Sequence, residues 1–180
     1  RTQERAEQFS KELDIIPIVG YDNMINQESI EAVYIPLPNS LHAEYIEKAL
    51  RKGLHVIVEK SMACKYSDVL KLNELAKEKD LVLLENFQFR FHSQTSQILE
   101  LVEEGIIGEL RAMRSSFGFP PFSDSGNIRY QRELGGGVLL DAGAYTVMAS
   151  QLFLGKELTV KAANLFYDSV LGVDIWGGAY

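Results

Sequence analysis

The sequence predicts an α/β protein in two parts: a partial parallel sheet over residues 1–90, then an α+β unit with an open, mainly antiparallel sheet over residues 91–180. Three observations point there. Continuously apolar runs alternate with amphipathic helical patterns in the first part, as in a parallel sheet covered on both faces. A glycine-rich turn, Gly135-Gly136-Gly137, then opens a long helical pattern. Leu158, Val160, Ala162, Asn164 and Phe166 alternate with their neighbours at the period of a half-buried antiparallel strand.

The elements follow in order. Residues 2–13 read as a helix with Ala6, Phe9 and Leu13 on its core face and Thr2 as N-cap. Residues 32–37, with Val, Tyr and Ile, read as a buried strand. Pro38-Asn39-Ser40 stops it. A helix then runs from Leu41 to Lys52, with Leu41, Tyr45, Ala49 and Leu50 inward and Gly53 as its C′ residue. Strand 54–58, helix 67–79 and strand 81–84 complete the first part. The second begins with helix 95–104, closed by Gly105, and a strand over 109–117. Residues 119–132 are irregular, with Pro120-Pro121 and Gly126, and long loops of this kind are often functional. Helix 137–154, closed by Gly155, and strand partners near 158–166 and 173–180 finish the chain.

Composition narrows the function classes. Hydrophobic residues make up 46% of the 180, enough for a core, and charged residues 24%. A net charge of −7 argues against a general nucleic-acid binder, which needs clustered Lys and Arg. The single Cys64 excludes an intrachain disulfide framework and fits a reducing, cytoplasmic compartment. No apolar run suggests a membrane span. Three scattered histidines form no metal-ligand pattern, and no Gly-x-Ser-x-Gly elbow is present. The start, Arg1-Thr2-Gln3-Glu4-Arg5, resembles neither a signal peptide nor a natural N-terminus, so the chain reads as an internal piece.

Two segments carry the chemistry. Gly53-Leu54-His55-Val56-Ile57-Val58-Glu59-Lys60 is an apolar strand that delivers a cation at its carboxyl end, the edge where open α/β sheets bind ligands. Leu37-Pro38-Asn39-Ser40-Leu41-His42 occupies the same edge of the preceding strand. A lysine after a strand is ordinarily just solvated, and Pro-Asn-Ser ordinarily a plain helix entry. Glu59 and the strand that aims it make Lys60 less bland. In the second segment Asp141 and Tyr145, four apart, share a helix face, and Gly143 between them permits a close approach. Taken alone they are a helix-dipole complement and a core tyrosine. Together a lysine, a carboxylate and a phenol can move a proton onto or off a sugar oxygen.

Four motifs in order resemble the Gfo/Idh/MocA oxidoreductases, the family of glucose–fructose oxidoreductase and inositol dehydrogenase. Residues 31–42 resemble its second strand–turn motif. Residues 53–60 resemble its strand ending in Glu-Lys-Pro. Asn86-Phe87-Gln88-Phe89-Arg90-Phe91 resembles the segment entering its second domain. Residues 135–145 resemble its Gly-Gly-Gly…Asp-x-Gly-x-(His or Tyr) helix. The resemblance implies a Rossmann domain binding NADP, or else NAD, joined to an α/β domain with an open sheet. It implies hydride transfer between nicotinamide and a carbohydrate-like alcohol or ketone.

The resemblance also assigns residues. Lys60 and Tyr145 are the expected catalytic pair, with the ammonium lowering the phenol's pKa. Asp141, Arg129 and Asn127 are expected at the substrate, and Arg1, Leu37, Pro38, Asn39, His42, Glu59, Lys60 and Arg90 at the cofactor. His42 shapes the cofactor turn, His55 packs, and His92 has no role. Two departures stand out. The G-x-G-x-x-G phosphate cradle is absent from this sequence, and Ser61 replaces the proline after the lysine. Arg1, after the second strand position, favours the 2′-phosphate of NADP, since guanidinium pairs bidentately with phosphate. The rival readings are a cofactor-binding regulatory or assembly protein without catalysis and an NAD-dependent glycosidase. A homo-oligomer through the C-terminal sheet is expected.

Overall fold

The computed structural model describes residues 2–180. Helix α1, Gln3–Leu13, starts where expected: the Thr2 hydroxyl accepts the Arg5 N–H at 3.3 Å. Its apolar stripe is not core, however. Phe9 and Leu13 are exposed, because no described element packs over them. A short helix the pattern did not suggest, α2 at Tyr21–Ile25, follows.

Three parallel strands form the first sheet in the order β1 (Ala32–Ile35), β2 (His55–Val58), β3 (Leu83–Glu85). Ala32 pairs with His55 and Val56 with Leu83. Helices α3 (Asn39–Lys52) and α4 (Tyr66–Glu78) make the crossovers. They bury Val33, Ile35, Val56 and Val58, while Tyr34 and Ile57 on the opposite face stay exposed. The sheet is therefore covered on one face among the described residues, not on two. The inward side of α3 is His42, Ile46, Ala49 and Leu50, with Leu41 and Tyr45 only partly buried. Gly53 ends it in the left-handed conformation, its N–H donating to the Ala49 and Leu50 carbonyls. Ile46, Leu50, Val56 and Val58 are the fully buried centre of the core.

A 3₁₀ turn at Gln88–Phe91 leads into α5, Ser93–Glu103, where the His92 side chain accepts the Gln94 N–H. Residues 109–117 pair with no strand among the described residues, contrary to the strand expected there. The site helix begins as a π-helical turn, Leu139–Gly143, and continues as α6, Ala144–Leu154. By length and composition the helical run Arg132–Leu154 meets the requirement for a membrane span, which corrects the sequence expectation. Its Asp141 nonetheless pairs with two cations of this chain, which argues for packing on protein rather than in lipid. Strands β4 (Ala163–Tyr167) and β5 (Asp174–Ala179) form the antiparallel sheet, Phe166 opposite Trp176. β4 starts five residues later than the alternation suggested.

Candidate active site

The carboxyl ends of β1 and β2 meet the glycine turn in a groove of about 200 Å³. Leu37, Pro38, Asn39, Glu59 and Lys60 line one side, and Arg129, Gly135–Gly137 and Asp141 the other. Two hydrogen bonds hold the sides together. Asn39 Nδ2 donates to the Gly135 carbonyl at 2.9 Å, and the Ser61 hydroxyl to the Leu140 carbonyl at 3.0 Å. Glycine is required where the turn folds. Gly135 has φ +74°, and a Cβ there would meet Cys64 Sγ at 2.7 Å and Asn39 Cβ at 2.8 Å. Gly137, at φ +111°, would drive a Cβ into the Asp174 carboxylate, which accepts the Leu139 N–H at 2.6 Å and so caps the site helix. The close approach expected at Gly143 falls at these glycines instead, since Gly143 faces chiefly Leu139.

Asp141 is the hub. Its Oδ1 takes the Lys60 ammonium at 2.6 Å and its Oδ2 the Arg129 Nε at 2.5 Å. Lys60 donates also to the Asp141 carbonyl at 2.9 Å. The Lys60 and Asp141 side chains are 12% and 14% exposed, the Arg129 side chain 39%. Burial alone pushes the Asp141 carboxyl up. The hydrogen bonds and charges of Lys60 and Arg129 outweigh it and hold the carboxyl below its ordinary range.

The Tyr145 ring stands beside this pair, its centroid 4.9 Å from Lys60 Nζ, and is boxed by Phe87, Phe89 and Phe117 at 5.8, 6.1 and 5.1 Å. Its hydroxyl has no hydrogen-bond partner among the described residues. Its pKa is raised, first by burial and then by the charges of Glu59 and Asp141. The lowering expected from Lys60 is therefore corrected: the ammonium meets the ring face and is neutralised by Asp141.

The other expected residues divide. Glu59 Oε1 accepts from the Tyr34 hydroxyl at 2.6 Å and from Asn86 Nδ2 at 2.7 Å. Asn127 does not line the groove; its side chain accepts the Arg129 N–H at 3.1 Å and opens the 3₁₀ turn that presents Arg129. Arg90, on the turn Gln88–Phe91, is not among the lining residues either. His42 is wholly buried beneath the groove. His55 is exposed rather than packed, its Nδ1 accepting the Val82 N–H at 3.0 Å. Arg1 lies outside the described residues. The capping Asp174 was missed, since an isolated acid thirty-seven residues beyond Gly137 carries no local signal. A larger cavity of about 380 Å³ behind the turn is lined by Arg132, Tyr167 and Asp174. It shares Gly136 with the groove, but none of the strand-end residues around Lys60 lines it.

The comparisons decide the family. Residues 1–87 match the oxidoreductase family model with the NAD-binding Rossmann fold, and residues 95–174 match the GFO/IDH/MocA C-terminal domain. The chain belongs to the Gfo/Idh/MocA oxidoreductase family. It is 42% identical, over 99% of its length and 52% of the relative's, to dTDP-3,4-didehydro-2,6-dideoxy-alpha-D-glucose 3-reductase of Streptomyces violaceoruber. It is 35% identical to D-xylose 1-dehydrogenase (NADP(+)) 2 of Haloferax volcanii, over 91% of this chain and 50% of that one. Among solved structures it is similar to KijD10, a 3-ketoreductase from Actinomadura kijaniata crystallised with NADP and TDP-benzene. The TM-score is 0.95 and the identity 40%, covering 99% of this chain and 55% of that one. Other KijD10 structures carry one substitution, at a tyrosine in one and at a lysine in others. The chain thus spans about half the length of the relatives it matches.

The groove fits the nicotinamide end of a dinucleotide. It offers an apolar Leu37–Pro38 edge, glycine backbone without side chains, and a few polar groups, Asn39, Glu59, Lys60, Arg129 and Asp141.

Proposed function

We propose that this protein is an NADP(H)-dependent ketoreductase acting on a sugar nucleotide, with Lys60 and Tyr145 at its reacting centre. The observation that carries the reading is the unpartnered Tyr145 hydroxyl beside a half-hidden Lys60–Asp141–Arg129 charge cluster at the strand ends. Similarity to a dTDP-sugar 3-reductase and to KijD10 with NADP supports the substrate and cofactor.

Leu37, Pro38, Asn39, Glu59 and Lys60 would hold the nicotinamide end, and Arg1 the 2′-phosphate. When bound, the cofactor supplies the hydride. Tyr145, kept protonated, donates its hydroxyl proton to the substrate oxygen as it gains negative charge. Lys60 offsets that charge. Asp141 holds Lys60 and Arg129 in place, and Arg129 keeps N–H groups free for a substrate oxygen. Asn127 acts through Arg129 by fixing its turn. The open C-terminal sheet, with Phe166 and Trp176 exposed, supports a homo-oligomer, which light scattering would test.

The test is consumption of NADPH with a dTDP-linked 3-keto sugar and appearance of the 3-hydroxy product. NADH should serve less well. Turnover of a free aldose but not of the nucleotide-linked ketone would move the reading to a sugar dehydrogenase. Equal NADPH and NADH affinity losses in Arg1→Ala would remove the NADP assignment.

A further inference from the structure

His42 is 0% exposed, yet both its ring nitrogens are in hydrogen-bond contact. Nδ1 lies 2.7 Å from the Ser61 carbonyl oxygen, and Nε2 lies 2.7 Å from the Leu37 carbonyl oxygen. Carbonyl oxygens only accept, and a neutral imidazole has one N–H to give. In the neutral form one of these contacts would set a ring lone pair against a carbonyl lone pair. At 2.7 Å, out of reach of solvent, that arrangement is costly. Two donors satisfy both contacts, and only the doubly protonated ring has two.

One carboxylate acts on the ring. Glu85, at the end of β3, accepts the Met62 N–H at 2.7 Å; burial pushes its carboxyl up, and the Met62 N–H and the charge of His42 pull against that. The charges on either side of Ser61 are engaged elsewhere: Lys60 with Asp141, and Glu59 with Tyr34 and Asn86. Leu37 and Ser61 each lie just past a strand of the sheet, one leading into the Pro38–Asn39 turn and one following Lys60. His42 reaches from the first turn of α3 to both. Ser61 is held from the other side by its hydroxyl on Leu140, so the backbone that carries Lys60 is fastened on two sides.

We propose that His42 is a positioning residue that works as a buried imidazolium, donating from both ring nitrogens and so fixing the turn that presents Lys60. The proposal rests on Lys60 acting at the reacting centre. It assigns His42 no contact with substrate or cofactor.

The first experiment is long-range ¹H–¹⁵N NMR on the labelled protein near pH 8, above the ordinary histidine pKa of about 6.5. His55→Gln and His92→Gln assign the signals, since those two residues lie outside the site. Both His42 nitrogens should resonate as protonated. One protonated and one bare nitrogen would overturn the proposal, whether or not the protein reduces ketones. The second experiment is kinetic. His42→Gln, which offers one donor group, should lower kcat by up to about 10²-fold through misplacement of Lys60, with KM for NADPH changing far less. Wild-type kcat in folded His42→Gln would overturn it too. If that variant does not fold, the NMR result on the unaltered ring decides. If the wild-type protein reduces no ketone, the ketoreductase reading fails while the NMR arm still tests the clamp.

Discussion

Replacing Asp141 with Asn removes one charge and keeps the side-chain shape, so it isolates what the carboxylate does. The carboxylate takes two charge-assisted hydrogen bonds, from Lys60 at 2.6 Å and from Arg129 at 2.5 Å. Lys60 and Asp141 are nearly buried, and breaking such a pair costs about 3–5 kcal/mol because the remaining charge is left without a partner. Arg129 is 39% exposed, so water replaces much of its interaction and it adds at most about 1 kcal/mol. Asn keeps one acceptor, so the lower end applies, about 3 kcal/mol. For a chain of 180 residues that is a fall in melting temperature of roughly 6–12 °C. The pH dependence has a definite sign. The Asp141 pKa is lowered in the folded protein, so its stabilisation is fully present above the ordinary value of 3.8 and is lost as the pH falls below it. Thermal melts of both proteins between pH 2.5 and 7 should therefore show a constant margin near neutrality that closes at the acid end. A margin under about 1 kcal/mol at pH 7, or one that persists unchanged at pH 2.5, would refute the hub.

Tyr145→Phe should leave melting and NADPH affinity near wild type and lower kcat about 10²–10⁴-fold, measured at saturating ketone. Because the Tyr145 pKa is raised from the ordinary value of 10.0, the alkaline loss of ketone reduction should be centred above pH 10, where alcohol oxidation should still be rising. Gly137→Ala should cost at least about 1–3 kcal/mol in chemical denaturation, from the positive φ and the collision with Asp174. Asp174→Ala, which keeps the glycine but loses the acceptor for the Leu139 N–H, should cost about 0.5–2 kcal/mol in the same assay.

The parallel sheet and its crossovers were legible because local rules govern them. Apolar runs bounded by turn residues give β1 and β2, and Gly53 in the left-handed conformation marks the end of α3. Residues 109–117 failed because a strand-like stretch of sequence does not show whether a partner lies beside it. Phe9 and Leu13 failed for a related reason, since helical periodicity shows an apolar face without showing what covers it. At the site, Lys60, Asp141 and Tyr145 were legible only through four motifs taken together. Their arrangement was not, because it depends on contacts across eighty residues. Asp141 between Lys60 and Arg129, and Asp174 under the glycine turn, are set by tertiary placement alone.

That arrangement decides what Lys60 can do for Tyr145. At 2.6 Å the ammonium and the Asp141 carboxylate attract with a gross energy of about 6 kcal/mol at an effective dielectric near 20. Its contact with the face of the Tyr145 ring, at 4.9 Å, contributes about 0.5–2 kcal/mol. The carboxylate wins, and the net field at the phenol is that of an ion pair joined by Glu59, not of a free cation. Burial first, and then the charges of Glu59 and Asp141, make the phenol hold its proton more tightly than tyrosine in water. A group in that state is a poor base for oxidising an alcohol at neutral pH, because it is present in its protonated form, the form that can give a proton to an oxygen gaining charge. In the proposed reduction, that charge would compete with Asp141 for Lys60 and Arg129, so both cations would bind the reacting oxygen more strongly in the transition state than in the ground state. On the proposed mechanism the charge pairing favours reduction, and the same three side chains, with Lys60 freed from Asp141, would suit oxidation instead.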